Sequence, residues 1–179
     1  PSYKEMIKTW YKKFDSILGE VMNKIDKEDI LIVLSDHGFN SFRRAVHVNT
    51  WLKNNGYLQL KNPQKTEGAP LLEDIDWSKT KAYCIGFGSI YINQRGRERD
   101  GIVDPGQETQ ALKKEISGKL KEWIDEKYNE PVIHQLYNNE DIFKGPYAHH
   151  APDLVIGFNV GFRASWQTAL GAVPKDTIE

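Results

Sequence analysis

The chain has a single cysteine, Cys84, among 179 residues, which excludes an internal disulfide framework. Cys84 falls inside an apolar strand pattern and is expected to be a core thiol rather than a nucleophile. Charge of one sign is also missing: 24 Lys and Arg face 25 Asp and Glu, for a net charge of -1. Without a basic excess the sequence carries no footprint for nucleic acid or an anionic membrane, so a phosphate-bearing ligand has to be held locally. No apolar run comes near the roughly 20 residues of a membrane span, and no signal-peptide pattern opens the chain, although in a piece of a longer protein that decides nothing. What is present suffices for a core: 39% hydrophobic residues with five Trp. The expected organisation is one α/β unit over residues 1–179.

Along the chain, Met6, Ile7, Trp10, Phe14, Ile17, Leu18, Val21 and Ile25 recur at helical spacing and predict a core-facing helix. Trp10 and Phe14 on that stripe read as packing residues rather than a cofactor box. Asn49 is a candidate cap for a short helix stopped by Gly56, with Trp51 and Leu52 as buried anchors. Residues 61–76, with Pro63, Gly68 and Pro70, read as a loop that can carry an insertion or lid. Ala82 to Phe87 and Ser89 to Asn93 predict two strands, or one with a bulge, pivoting on Gly86 and Gly88, where the backbone can approach a ligand closely. Arg95, Arg97 and Arg99 form a small basic loop cluster, read as solvated. Asp104-Pro105 opens a second helix with Leu112, Ile116, Leu120, Trp123 and Ile124 on its apolar face and a solvated run of mixed charge from Lys113 to Lys127. Val132 to Tyr137 and Leu154 to Phe158 complete the strands. Alternating helices and strands imply an α/β domain with a layered, mostly parallel sheet and helices on both faces.

The richest stretch is Ile30-Leu31-Ile32-Val33-Leu34-Ser35-Asp36-His37-Gly38-Phe39. Five unbroken aliphatic residues suit a parallel strand covered on both faces. In open α/β sheets ligands bind beyond the carboxyl ends of strands, where Asp36 and His37 fall. Adjacent strand residues point to opposite faces, so both can reach one ion only if the backbone turns, and Gly38 permits that. A carboxylate oxygen with an imidazole nitrogen suits zinc, manganese or iron better than calcium or magnesium. On spacing alone a second reading stands beside this one: Asp36 capping a turn after a strand.

The run Leu34 to Phe39, then Phe42-Arg43-Arg44 and His47-Val48-Asn49-Thr50-Trp51-Leu52, resembles the type I phosphodiesterase/nucleotide pyrophosphatase family of the alkaline phosphatase superfamily. The likeness continues through Gly96-Arg97-Glu98, Gly101-Ile102-Val103 and Pro105-Gly106, and returns in Ala151 to Phe158 and Gly161 to Trp166. The resemblance implies an alkaline-phosphatase-like fold and a centre of two divalent metals, zinc first and manganese second. That centre activates a Ser or Thr nucleophile, and water hydrolyses the resulting phospho-enzyme. Two metals about 4 Å apart clamp the attacking and leaving oxygens of an in-line displacement. Carried over residue by residue, Asp36 and His37 are metal ligands. The implied substrate is a phosphodiester or pyrophosphate, a small phosphate ester or nucleotide. Phosphomonoesterase, phosphonate hydrolase and phosphomutase chemistry share the same core.

The family's nucleophile, its neighbouring Asp ligand and an Asp-x-x-x-His pair normally lie upstream of the Ile30 strand, and none has a counterpart among the 29 residues before it. A further His is expected downstream, yet no His follows His150. The expectation is a truncated catalytic domain with one half-set of ligands, inactive alone; the competing expectation is a degenerate domain that binds a nucleotide or protein. Arg43 and Arg44 are candidates for a substrate phosphate and His47 for the cleft, but no motif assigns them. His149 and His150 mark the entry to a strand and His134 a half-exposed position; none is expected to ligate.

Overall fold

A computed structural model describes residues 3–179 and divides the chain into two compact units, Pro1–Phe39 and Asn40–Glu179. The first unit contains α1 (Met6–Met22). The second contains, in order, β1 (Arg44–Val46), α2 (Val48–Asn54), β2 (Ala82–Ile85), β3 (Ser89–Ile92), α3 (Gln107–Lys121), β4 (Ile124–Asp125), β5 (Glu130–Pro131), β6 (Ile133–Asn138), α4 (Asn139–Ile142), β7 (Leu154–Phe158), β8 (Phe162–Ala164) and α5 (Trp166–Ala169).

In the first unit the helix forms where the periodicity places it, but its stripe is not core-facing. No residue of α1 is buried, and Met6, Ile7, Trp10, Phe14 and Ile17 are all exposed. The aliphatic run after it is a second correction: residues 30–34 form no strand, and Ile30 and Leu34 are 88% and 80% exposed. The physical reason is shared. An apolar run encodes a tendency to be covered, whereas a strand exists only when neighbours accept its N–H and C=O groups. Among the described residues none does so for 30–34.

The second unit is a mixed α/β body whose sheets are small. Four strands run in the order β2-β3-β7-β6, every neighbouring pair antiparallel. Among the described strands only β1 and β8 pair in parallel, joining Arg44 to Phe162 and Val46 to Ala164 in register. The expected mostly parallel sheet is therefore not what these strands form. For β2 and β3 chain connectivity is the reason: Gly86-Phe87-Gly88 is a three-residue turn with φ of 70° and 114° at the two glycines, and so short a link can only reverse the chain. The core lies between this sheet and α2 and α3, with Leu52, Leu58, Ile90, Ile92, Ile116, Leu120 and Leu154 sealed from solvent. Each contributes about 2 kcal/mol by leaving water.

Helix α2 starts two residues earlier than expected, at Val48 with His47 in the cap position, because Asn49 is not its cap. The Asn49 side chain lies along edge strand β2, accepting from the Cys84 N–H at 2.7 Å and donating to the Cys84 and Ala172 carbonyls at 2.9 and 3.2 Å. It thus closes a sheet edge as a strand would. Asn49→Ala is expected to leave three buried backbone groups unpaired and to lower the unfolding free energy by about 2–3 kcal/mol, read from urea denaturation. The C-terminal stop holds as expected: Gly56 takes φ 79°, and the Gly56 and Tyr57 N–H groups bond back to the Lys53 and Leu52 carbonyls at 3.0 and 2.9 Å.

The loop over 61–76 is pinned rather than a free lid. Gly68 exchanges backbone bonds with Val173, Lys65 pairs with Asp74 at 2.6 Å, and Ile75 is buried. Helix α3 begins at Gln107, with Gly106 in place of Asp104 at the cap position. Its charged face is not wholly solvated either. Lys113 is buried, and its ammonium donates to Glu140 at 2.7 Å and to Asn139 at 2.8 Å.

Candidate functional site

Asp36 and His37 sit at a bend, both well exposed, with the Asp36 Oδ2 and His37 Nε2 atoms 3.2 Å apart. The local chain builds this approach. The Ser35 hydroxyl donates to the His37 carbonyl at 2.7 Å, reversing the backbone so that neighbouring side chains converge. The His37 Nδ1 atom lies 2.9 Å from the Gly38 carbonyl, and Phe39 packs edge-on at 5.8 Å. A carbonyl only accepts, so Nδ1 carries the proton and donates. Nε2 is left facing a carboxylate oxygen, an arrangement that is attractive only when positive charge, a second proton or a cation, sits between them.

That geometry fits a metal. Two ligands of a tetrahedral ion with bonds of about 2.0–2.2 Å lie about 3.3–3.5 Å apart, close to the observed spacing. An imidazole fixed through Nδ1 to a backbone carbonyl is the usual outer support of a ligating Nε2. Two donors are half of such a set. Among the described residues no group of three or more His, Cys, Asp or Glu side chains is gathered in the manner of a complete metal site.

The other candidates resolve into structural roles. Arg44 forks onto the buried Asp125 at 2.9 and 3.2 Å, and Arg43 pairs with Glu130 while lying 5.0 Å from the Tyr128 ring. The Arg44 fork is thus taken up by an acid, while Arg43 gives one donor to an acid in a half-exposed pair. Arg97, expected in solvent, is largely enclosed: it donates to Asp153 at 2.5 and 3.1 Å, to Glu98 at 2.9 Å and to the Ile92 carbonyl at 2.7 Å. Burial works against its charge, yet the Asp153 and Glu98 carboxylates prevail and hold its pKa above the ordinary value. Arg95 pairs with Asp104 at 2.8 Å. Cys84 is fully buried, and burial pushes its thiol up to about 12, so it is inert at neutral pH. His149 and His150 lie on an exposed turn with ring centroids 3.9 Å apart, and His134 is exposed on β6.

His47 is buried at the start of α2, its Nε2 3.8 Å from Glu179. Its own N–H and that of Ala45 donate to the Thr177 and Glu179 carbonyls, both at 2.8 Å, binding residues 177–179 against β1. Desolvation lowers the imidazole pKa from 6.5, and the Glu179 and Asp176 carboxylates oppose this without cancelling it. The folded state therefore excludes a proton that the unfolded chain binds. Stability from this group is full above the unfolded pKa and declines as pH falls through about 6.5. The urea midpoint should drop between pH 7.5 and 5.5, and His47→Gln should flatten that dependence.

One basic residue was given no role by its sequence context. Arg163, at the centre of β8, has no carboxylate within salt-bridge distance among the described residues, unlike Arg43, Arg44, Arg95 and Arg97. The signal available in sequence was a lone arginine between Phe162 and Trp166 in a strand of alternating burial.

Among the described residues no helix is long and apolar enough to cross a membrane. Neither curated proteins nor solved structures yield a match to this chain. A family model described as type I phosphodiesterase / nucleotide pyrophosphatase matches residues 1–169, which takes in the Asp36-His37 bend, the β2–β3 hairpin and β8. A match across nearly all of the sequence identifies the chain as a member of the type I phosphodiesterase/nucleotide pyrophosphatase family, whose chemistry is phosphoryl transfer to water.

Proposed function

We propose that this chain is part of the catalytic domain of a longer, metal-dependent hydrolase of phosphodiester or pyrophosphate bonds, acting through a phospho-Ser/Thr intermediate. Residues 1–179 are one α/β segment of an alkaline-phosphatase-like, mostly parallel fold. The exposed aliphatic run 30–34 and the apolar stripe of α1 are surfaces that such a larger sheet covers. Asp36 and His37 hold one of two divalent cations, zinc first and manganese second. The observation that carries this reading is the Asp36 carboxylate opposed to an imidazole whose other nitrogen is tied to Gly38.

When bound, the ion supplies concentrated positive charge against a phosphoryl oxygen. The chain's own contribution is orientation. Ser35 bends the backbone, Gly38 fixes the imidazole tautomer, and Asp36 presents an unshared carboxylate oxygen. The nucleophile and the remaining ligands belong to other segments of the longer enzyme, so this segment alone is inactive. The substrate is a small phosphate ester or nucleotide, since a net charge of -1 offers no field for a polyanion. Aryl phosphodiester hydrolysis by the longer enzyme, with and without Asp36→Ala, tests the reading; an unchanged rate removes the metal assignment.

A further inference from the structure

The Arg163 guanidinium lies 4.1 Å from the centroid of the Phe42 ring and 5.4 Å from that of Trp166. Trp166 in turn meets the edge of Phe87 at 5.7 Å. All three rings are exposed, at 52% for Phe42, 61% for Trp166 and 68% for Phe87. Aromatic rings this open are seldom left beside one another unless something covers them.

The donors are as notable as the rings. The Arg163 Nε atom is buried and has no hydrogen-bond partner, and Nη1 makes only a long 3.5 Å contact to the Ala164 carbonyl. Rings against a guanidinium stabilise the cation through its faces and leave the in-plane N–H edge for a partner. No carboxylate lies within 4.0 Å of the guanidinium among the described residues, and while Nε is closed to solvent, Nη2 has no partner and stands ready for an oxyanion brought from outside.

The surroundings are rigid. Ser165 follows Arg163 closely, donates its N–H to the Val46 carbonyl at 2.9 Å, and caps α5 by accepting the Thr168 N–H at 3.0 Å, which sets Trp166 in place. Phe87 stands at the tip of the β2–β3 hairpin, whose Gly86 N–H is tied to the Ala169 carbonyl at 3.0 Å. Arg163 is itself held in the parallel register with Ala45. A site whose parts are fixed before the ligand arrives loses little entropy on binding.

We propose that Phe42, Phe87, Arg163 and Trp166 form a binding subsite for an oxyanion attached to a planar aromatic ring, the guanidinium taking the anion and the arene packing against the nearly perpendicular Trp166 and Phe87 rings, face to one and edge to the other. The site lies wholly within residues 40–179 and needs no metal. Its test therefore runs in chelator and is independent of the Asp36 and His37 assignment.

Titration of the chain with phenyl phosphate, followed by NMR of the Arg163 Nε–H and the Trp166 indole, should give saturable shifts of both signals. Arg163→Gln should weaken binding about tenfold or more, and Trp166→Ala about fivefold, with the thermal midpoint recorded for each. Arg163→Lys, which keeps the charge but loses the fork, should fall between wild type and Arg163→Gln; with the wild-type shifts, it decides the matter should Arg163→Gln fail to fold. Benzoate shares the required chemistry, so its affinity relative to phenyl phosphate tells whether phosphate or carboxylate is preferred. Phenol and inorganic phosphate, each lacking one half of the ligand, should bind at least about tenfold more weakly. Absence of saturable binding, affinity unchanged in Arg163→Gln, or inorganic phosphate binding as tightly as phenyl phosphate would each overturn the proposal.

Discussion

Asp36→Ala in the longer enzyme is expected to lower the rate of aryl phosphodiester hydrolysis about a thousandfold, roughly 4 kcal/mol of transition-state stabilisation. The size follows from what the carboxylate does in the proposed reading. Its Oδ2 lies 3.2 Å from the His37 Nε2, and if the two atoms share a cation as proposed, losing either would weaken the charge that faces the phosphoryl oxygens. His37→Ala should match it, and the double replacement should be little worse than either single one, because the two residues act as a unit. Bound zinc should fall in parallel with rate, since a binding defect and a catalytic defect have the same origin here. Initial rates with added zinc or manganese, alongside metal content after gel filtration, provide the measurement. A variant that keeps its metal and its rate would return Asp36 to the simpler role of capping a turn.

Asp153→Ala should produce the largest loss of stability, about 3–5 kcal/mol. Asp153 is buried, takes two bonds from Arg97, and also accepts the Ile92 N–H at 2.7 Å. Its removal leaves a largely enclosed guanidinium without its main partner and a β3 backbone donor unpaired, and burial without pairing is the expensive case. The loss should be recovered in large part by adding Arg97→Met, which removes the stranded charge while keeping the aliphatic bulk. Urea denaturation at neutral pH of the two single variants and the double variant checks both statements. A loss below about 1 kcal/mol for Asp153→Ala would mean that water reaches Arg97 and the pair is a surface pair.

Local patterns are legible in the sequence where the physics is local. The periodicity of Met6 to Val21 encodes a helix and a helix forms; the Gly86 and Gly88 pivots encode a reversal and a hairpin forms; Gly56 stops α2. Cys84 in an apolar strand is a buried thiol. Polar residues are less legible, because their roles depend on partners distant in sequence. Asn49 looked like a cap but meets Cys84 and Ala172, 35 and 123 positions away. Arg97 and Lys113 looked solvated but are enclosed by Asp153 and Glu140. Arg43 and Arg44 looked free for a phosphate and are engaged by Glu130 and Asp125.

The sequence by itself determined the family and the adjacency of Asp36 and His37, because both are properties of residue order. It also determined the helical and turn-forming segments, which depend on backbone preferences within a few residues. Strand pairing was beyond it. Whether 30–34 becomes a strand, and whether neighbours run parallel or antiparallel, depends on which backbone groups meet across long separations, and only β1 and β8 meet in parallel among the described strands. Tertiary structure alone also decided which arginines are committed. Four of them meet carboxylates, and Arg163 instead meets two aromatic rings. A charge is written in the sequence, but its partner is chosen by packing.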